Sequence, residues 1–282
     1  MCTVPFVRGI CRECYSEPEA VYEKLKRAGM GLVTVTDHDS IEAGETLGRH
    51  SHFFLSEEVT CSMPTGTTVH IGVYDINERQ HVEIQQRHDD LPRLLAYFRE
   101  QDLLLSLKHP SSCLTDRRDF ADLQWFRYAF PAWEVVNGQI PDSNNRLAQE
   151  FARMEGKAVL AGSDAHTLPS AGSAFTEVPT ARTREEFFEG LREGRGRVKG
   201  EVGGYWKLTR EVVGISRGLF RDKPWAWVLA PLAVAVPVLT LANHLRELRF
   251  ARHWRQMLAK SSPRPGFTAD LQGPLPFQEM KA

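Results

Sequence analysis

The sequence predicts an α/β fold over residues 16 to about 200, in which helices surround a mainly parallel sheet or barrel. Short apolar runs rich in β-branched residues alternate along the chain with stretches of helical pattern. The composition, 42% hydrophobic and 25% charged over 282 residues, is that of a globular protein. Histidine and carboxylate residues recur near the ends of the predicted strands, where parallel α/β folds carry their active sites.

The alternation of strand and helix holds from one element to the next. Ser16 is the expected cap of a first helix, which begins with Glu17, Pro18 and Glu19 and stops at Gly29. Strands are predicted at 32–36, 53–60, 67–76, 103–107, 133–136 and 158–161. Further helices are predicted at 41–48, with Ser40 as cap, and at 88–101, 117–128, 142–155 and 183–193.

Side chains that commonly bind metal ions lie within or directly after most of these strands. They are Asp37, His38, Glu58, His70, His109, Asp164 and His166. In a parallel barrel such side chains meet at one mouth. Imidazole and carboxylate ligands together suit zinc, manganese or iron, and their number indicates more than one ion. Such a centre activates water and binds phosphoryl oxygens.

The remaining candidates are interpreted as structural. Glu57 points to the face of its strand opposite Glu58, so it is expected to be structural or solvent-facing. The other histidines are interpreted as surface or core residues: His50, His52, His81, His88, His244 and His253. The five cysteines include one CxxC pair, Cys11 and Cys14, and are interpreted as reduced thiols of a cytoplasmic protein.

Six short motifs are similar to those of the PHP (polymerase and histidinol phosphatase) superfamily and occur in the same order. They are TDHD (36–39), SEEVT (56–60), VHI (69–71), KHP (108–110), EVVNG (134–138) and GSDAH (162–166). The resemblance covers residues 13 to about 200. It implies a distorted (β/α)7 barrel, phosphoesterase activity and one to three divalent ions (Zn, Mn or Fe). The ligands it implies are His38, Glu58, His70, His109, Asp164 and His166.

The resemblance also implies roles beyond ligation. Asp37, His38 and His166 are the expected catalytic residues, with Asp37 orienting a ligand. Asn137 is expected to contact substrate, and Lys108 or Arg146 could contact a substrate phosphate.

The chain departs from this family because the opening strand with its HxH motif is absent, and the first histidine is His38. Residues 3–7 could partly replace that strand, although Pro5 restricts them to a sheet edge. Either the start is truncated, or the chain is a degenerate member without turnover. Glu58, His70 and His109 would still suffice for one ion.

Two functions therefore remain open from the sequence. The first is hydrolysis of a phosphomonoester or phosphodiester by metal-activated water, and the alternative is a non-catalytic binding or scaffold module. The net charge of −1 argues against a long nucleic-acid track. A small phosphorylated substrate or a short nucleotide is the expected partner.

A helical extension at 201–262 and a disordered tail at 263–282 are expected to follow the barrel of residues 1–200. Residues 224–243 carry no charge and are long enough to cross a bilayer as a helix. Basic residues on both sides, together with Pro231 and Pro237, fit a simple crossing poorly. The alternatives are contact of residues 224–255 with the inner face of the membrane, or a hydrophobic helix packed on the barrel.

Overall fold

The computed structural model describes residues 12, 14–116 and 118–261. The predicted edge strand at 3–7 and the predicted disordered tail at 263–282 lie outside the described residues. The boundaries of the three predicted units stay predictions.

A mixed five-stranded sheet forms the centre of the fold, with its strands in chain order. The strands are β1 (Ser56–Ser62), β2 (Thr68–Tyr74), β3 (Leu104–Leu107), β4 (Ala132–Asn137) and β5 (Ala158–Gly162). A separate antiparallel pair, β6 (Ala174–Glu177) and β7 (Arg197–Gly200), lies beside β5, where the Thr176 hydroxyl accepts from the Ala161 backbone N–H.

The prediction of a mainly parallel sheet is wrong for its first half. β1, β2 and β3 pair antiparallel, whereas β3, β4 and β5 pair parallel. The connection between β1 and β2, residues 63–67, is far too short for a parallel crossover, so these strands must form a hairpin. The predicted strand at 32–36 is an extended segment outside the named strands, with isolated parallel bridges from Val33 to Phe53 and from His38 to Glu58.

The sheet is surrounded by helices, most of them amphipathic. They are α1 (Pro18–Arg27), α2 (Glu42–Leu47), α3 (Glu78–Gln85), α4 (Leu91–Glu100), α5 (Asp122–Ala129), α6 (Asp142–Met154), α7 (Arg184–Arg192), α8 (Tyr205–Asp222) and α9 (Val236–Ser261). A 3₁₀ segment, Pro224–Ala235, joins the last two.

The helix starts show where local prediction was imprecise. α3 was not predicted, although Asn77 and Gln80 form a reciprocal capping box at its start. Ser16 and Ser40 do not occupy the cap positions, which are held by Glu17 and Ile41.

The C-terminal half of α9 is part of the main core. Trp254 is only 1% exposed and packs edge-on against Phe126 of α5. Glu247, also buried, accepts hydrogen bonds from the Cys113 backbone N–H at 3.0 Å and from Asn144 Nδ2 at 2.8 Å. These contacts fix the extension onto the α/β domain.

Candidate metal centre

Four predicted ligands, His38, Glu58, His70 and His109, converge at one rim of the sheet. His38 ends the extended segment and bridges to Glu58 on β1. His109 follows β3, and the Lys108 backbone N–H donates to the His70 carbonyl. Because β2 runs antiparallel, its beginning lies at the rim where β3 ends, which explains why His70 near the start of β2 meets His109.

One oxygen, Glu58 Oε1, is the common point of the cluster. It lies 2.8 Å from His70 Nδ1, 3.3 Å from His109 Nε2 and 3.8 Å from His38 Nε2. The facing nitrogens of His70 and His109 are 3.2 Å apart. His38, Glu58 and His70 also offer ligand atoms that all lie within 4.8 Å of one another.

These spacings fit a bound divalent cation. Ligand atoms about 2.0–2.1 Å from a tetrahedral ion lie roughly 3.3 Å from one another. The triangle formed by Glu58, His70 and His109 has edges of 2.8, 3.2 and 3.3 Å. The donor set of two imidazoles and one carboxylate is one that zinc, manganese and iron accept.

A buried carboxylate that sequence reasoning did not single out, Glu134 of β4, holds this site in place. Its Oε1 pairs with Lys108 Nζ at 2.8 Å, and its Oε2 accepts from the His109 backbone N–H at 3.2 Å and from Asn137 Nδ2 at 2.9 Å. Glu134 is 2% exposed and Lys108 is 7% exposed. The signal that could have identified Glu134 is an acid within an otherwise apolar buried strand.

This network changes the interpretation of three residues. Asn137 Nδ2 also lies 3.2 Å from Asp164 Oδ2, so Asn137 links two acids beneath the cavity. Lys108 is committed to the buried acids rather than presented as an open phosphate contact. Arg146 forms an exposed ion pair with Asp142 and does not line the cavity.

Asp164 and His166 lie at the same cavity but outside the tight triangle. His166 Nδ1 is 3.0 Å from the Asp164 carbonyl oxygen, which fixes the orientation of the ring. Asp37 also lines this cavity, and its carbonyl accepts from the Glu58 backbone N–H at 3.0 Å. The structure thus brings every predicted site residue to one region, and their individual roles stay predictions.

Left-handed backbone occurs at three positions around the site, Asp39, His109 and Asp164, with φ of 52°, 32° and 45°. Such conformations are unfavourable for residues other than glycine, although Asp and His tolerate them best. Strained backbone of this kind commonly marks functional sites, because surrounding contacts must hold it. Here the Asp39 carboxylate accepts from the Thr60 backbone N–H at 2.7 Å, which ties its turn to β1.

Burial and neighbouring charges shift the pKa values of the clustered groups in different directions. Burial opposes ionisation of Glu58, but the charges of His38 and Lys108 and the hydrogen bonds from His109 and His70 hold its pKa well below the usual value. Burial lowers the pKa of His70 to about 4. Burial acts on His109 in the same direction, but its bond to Glu58 raises the pKa of His109. Burial thus favours the neutral form of His70, whereas the contact with Glu58 favours protonation of His109.

The site opens into a large cavity of 1660 Å³. Its lining includes His38, Glu58, His70, His109, Asp164 and His166. A second cavity of 1010 Å³ lies between the extended segment at 33–38 and strands β5 and β6, with Val33, Leu160, Ala174 and Phe188 among its lining residues.

Glu57 lies on the other face of β1, as its alternation predicted. It is fully buried, so the solvent-facing alternative is wrong. Its Oε2 lies 2.8 Å from His81 Nδ1, which gives both residues a structural role beneath α3.

Residues 142–195, which span α6 to α7, match the family model described as PHP-associated. No curated protein matches the sequence. Among solved structures, PsfC from Pseudomonas syringae PB-5123 superposes with a TM-score of 0.50 at 17% identity and covers 73% of this chain and 89% of PsfC. That likeness shows the fold.

Two further structures are similar at lower scores. The lesion-specific endonuclease PfuEndoQ from Pyrococcus furiosus has a TM-score of 0.45 at 16% identity, over 64% of this chain and 52% of its own. A candidate metal-dependent phosphoesterase from Bifidobacterium adolescentis has a TM-score of 0.39 at 13% identity, over 54% and 82%. The family-model match over residues 142–195 includes the GSDAH motif (162–166) and agrees with the resemblance of the sequence motifs to the PHP superfamily.

Proposed function

We propose that this chain is a metal-dependent phosphoesterase that hydrolyses a small phosphomonoester or phosphodiester. The observation that carries the proposal is the triangle of Glu58 Oε1, His70 Nδ1 and His109 Nε2, with edges of 2.8 to 3.3 Å, at the wall of an open cavity. The superfamily match supports phosphoester chemistry.

Glu58, His70 and His109 would hold the first ion, with His38 on its open side, and the Asp164 carboxylate is placed to serve a second. A divalent ion at such a site supplies Lewis-acid polarisation of the phosphoryl group and acidifies water at neutral pH. The chain itself orients its ligands: Thr115 Oγ1 lies 3.4 Å from His109 Nδ1 and directs Nε2 toward Glu58.

Proton transfer to the leaving oxygen is assigned to His166. Its Nδ1 is engaged by the Asp164 carbonyl, which leaves Nε2 for exchange with substrate. The low pKa of Asp164, held down against burial by the charge of His166, keeps this carboxylate ionised beside the ring. Asp37, on the same wall, would orient His38.

The architecture is proposed to be a distorted (β/α)7 barrel whose first strand is altered. The supporting observation is that the elements occur around the site in chain order. The extended segment at 33–38 comes first, β1 to β5 follow, and β6 comes last. Among the described residues the ring is open between β6 and the extended segment, and the 1010 Å³ cavity lies at that opening. A strand fitted there would complete the ring.

The substrate is proposed to be a small phosphorylated molecule or a short nucleotide, hydrolysed in the cytoplasm. The cavity of 1660 Å³ exceeds the volume of about 300–1,000 Å³ typical of small-molecule sites, so a whole nucleotide is accommodated. The net charge of −1 supports a single phosphoryl recognition site rather than a long polyanion track.

The test combines metal content with turnover. The purified chain should contain at least one zinc, manganese or iron ion by elemental analysis, and should hydrolyse p-nitrophenyl phosphate or its bis ester. His109→Ala and Glu58→Gln should each lose metal and rate, whereas His253→Ala, at an exposed histidine of α9, should keep both.

The outcomes separate the alternatives. Circular dichroism and a melting curve of each variant establish that loss of metal is not loss of fold. Bound metal without turnover on either ester would make the chain a non-catalytic binding module. Absence of any bound transition metal from a folded wild-type chain would refute the metal centre itself.

A further inference from the structure

The uncharged residues 224–243, here called the apolar segment, place large apolar side chains in solvent. Val234 is 82% exposed, Val228 is 73% exposed and Val238 is 68% exposed. Trp225, Trp227, Leu232, Leu239 and Leu241 are exposed as well. Contiguous exposed apolar surface of this kind marks an interaction site rather than ordinary surface.

The inner side of the apolar segment is firmly attached to α8. Ala226 and Val236 are buried, and Trp227 stacks on Phe220 with ring centroids 4.9 Å apart. Thr240 Oγ1 and Thr209 Oγ1 lie 2.8 Å apart in a buried hydrogen bond. The exposed side chains are therefore held outward by a fixed scaffold.

The structure does not allow this segment to cross a bilayer as one helix. The helical stretch Pro224–Ala259 passes the length and hydropathy criteria for a span, with a mean hydropathy of 2.0. However, its second half belongs to the core, where Glu247, Ala251 and Trp254 are buried. The part outside the core is not one continuous α-helix, because Pro224–Ala235 is a 3₁₀ segment that contains Pro231. The α-helical part before Glu247 begins at Val236 and is about 17 Å long, whereas the hydrocarbon core is about 30 Å thick.

The chemistry of the exposed side favours lipid over protein. A protein interface needs a polar rim and paired hydrogen bonds. Apart from the two indole N–H groups, the polar side chains of the apolar segment are Thr240, which is bonded internally, and Asn243. Paired tryptophans at one end are typical of membrane–water interfaces.

Basic residues flank the apolar segment on both sides. Arg217, Arg221 and Lys223 precede it, and Arg246, Arg249, Arg252 and Arg255 follow. Of the two acidic residues in this region, Glu247 is buried and turned into the core, and the exposed Asp222 lies 3.9 Å from Arg12. The exposed charge around the apolar surface is thus mainly positive, which complements anionic lipid headgroups.

From these observations we infer that the apolar segment docks in the plane of an anionic membrane surface. Its exposed side chains enter the headgroup and upper acyl region, and the flanking arginines contact lipid phosphates. The α/β domain stays in water, with its cavity adjacent to the surface, since Arg221 lines the cavity and lies three residues before the apolar segment. This docking is independent of whether the site turns over substrate.

The experiment is flotation of the full chain with vesicles of phosphatidylcholine alone, or of equal parts phosphatidylcholine and phosphatidylglycerol. We expect binding to the anionic vesicles that weakens with added salt. Leu232→Gln, Val234→Gln and Val238→Gln combined should lower the partition coefficient by about tenfold or more. Arg249→Gln should lower it about fivefold on anionic vesicles only.

A matched control exchanges exposed apolar residues elsewhere. Val82→Gln, Met154→Gln and Val202→Gln combined remove similar side chains from α3, α6 and the loop before α8, and should bind as the wild type does. Equal loss in both triple variants, or no flotation of the wild-type chain with either vesicle, would overturn the inference. A dimer in sedimentation that the first triple variant dissociates, without vesicle binding, would assign the surface to a second copy.

Depth distinguishes docking from crossing. The fluorescence that Val234→Trp adds at the middle of the apolar segment, taken by difference from the parent chain, should be quenched by lipids brominated near the headgroup. Stronger quenching by lipids brominated at the ends of the acyl chains would show a spanning segment and refute docking in the plane.

Discussion

Replacing Glu134 by Gln should destabilise the fold and weaken the metal site at the same time. The carboxylate is 2% exposed and receives hydrogen bonds from Lys108 Nζ, the His109 backbone N–H and Asn137 Nδ2. Glutamine keeps the volume but removes the charge. It also presents an amide donor toward groups that are themselves donors.

The size of the expected loss in stability follows from what Lys108 loses, which is its nearest carboxylate partner. Removing one partner of a buried ion pair costs about 3–5 kcal/mol, because the other charge stays buried. Lys108 retains Glu58 Oε2 at 3.7 Å, so the lower end, about 3 kcal/mol, is expected. For a chain of this size that lowers the melting temperature by roughly 6–12 °C. Displacement of the His109 backbone should weaken metal binding about 10- to 100-fold.

The loss of stability in Glu134→Gln should depend on pH in a defined direction. Burial disfavours the charged form of Lys108, but the attraction of the Glu134 carboxylate is stronger and raises the pKa of Lys108 well above its usual value. Without Glu134, burial dominates and the folded pKa of Lys108 falls below its unfolded value. The variant should therefore regain stability as the pH rises toward the unfolded pKa of lysine, and its deficit relative to wild type should shrink in alkaline buffer.

Urea unfolding, thermal melting and chelator competition measure these effects. The control is Glu155→Gln, whose carboxylate pairs with Arg127 Nε at the same 2.8 Å but with both side chains about one-fifth exposed. That change should cost about 1 kcal/mol or less. If both variants lose equal stability, or if Glu134→Gln binds metal as tightly as wild type, the role assigned to the buried pair is wrong.

Three further outcomes are expected. Gly162→Ala should lower the free energy of unfolding in urea by about 1–3 kcal/mol, because the added Cβ would lie 2.6 Å from the fixed Glu134 Oε1. Gly31→Ala, which has open space around it, should be nearly neutral. The free energy of unfolding of the metal-free chain should fall by about 3 kcal/mol between pH 6.5 and pH 4, because the folded state keeps His70 neutral while the unfolded chain protonates it. A stability that calorimetry finds unchanged over this pH range would contradict this. Glu247→Ala should cost about 1–3 kcal/mol, because the buried Cys113 backbone N–H loses its acceptor, while Asn144 Nδ2 loses one partner and keeps the Ser111 carbonyl. The exposed Glu189→Ala should cost under about 0.5 kcal/mol, and denaturant titration measures both.

Local sequence patterns located most of the elements and nearly all of the site. The periodicity at 142–155 predicted α6, and the apolar runs at 103–107 and 158–161 predicted β3 and β5 within one residue. These elements carry their own signals, since alternation, caps and turn residues act over a few positions. The direction of β2 was misjudged although the short connection at 63–67 is a local signal for an antiparallel hairpin.

Glu134 is a residue whose role local sequence patterns did not predict. Its neighbours in the chain are apolar, and only the packing of β4 beside β3 gives it Lys108 as a partner. An acid within an apolar strand indicates burial, but the sequence does not show its charge partner, so the support that Glu134 gives to His109 could not be anticipated.

The amino-acid order by itself indicated which imidazole and carboxylate groups to consider for a site, because such groups after apolar runs are recognisable without coordinates. Folding decided how they meet: the antiparallel β2 brings His70 to His109, and β4 brings Glu134 beneath both. It also decided that α9 is divided, with Trp254 in the core and Val234 in solvent. Hydropathy is a property of a segment, whereas burial depends on what the rest of the chain places against it.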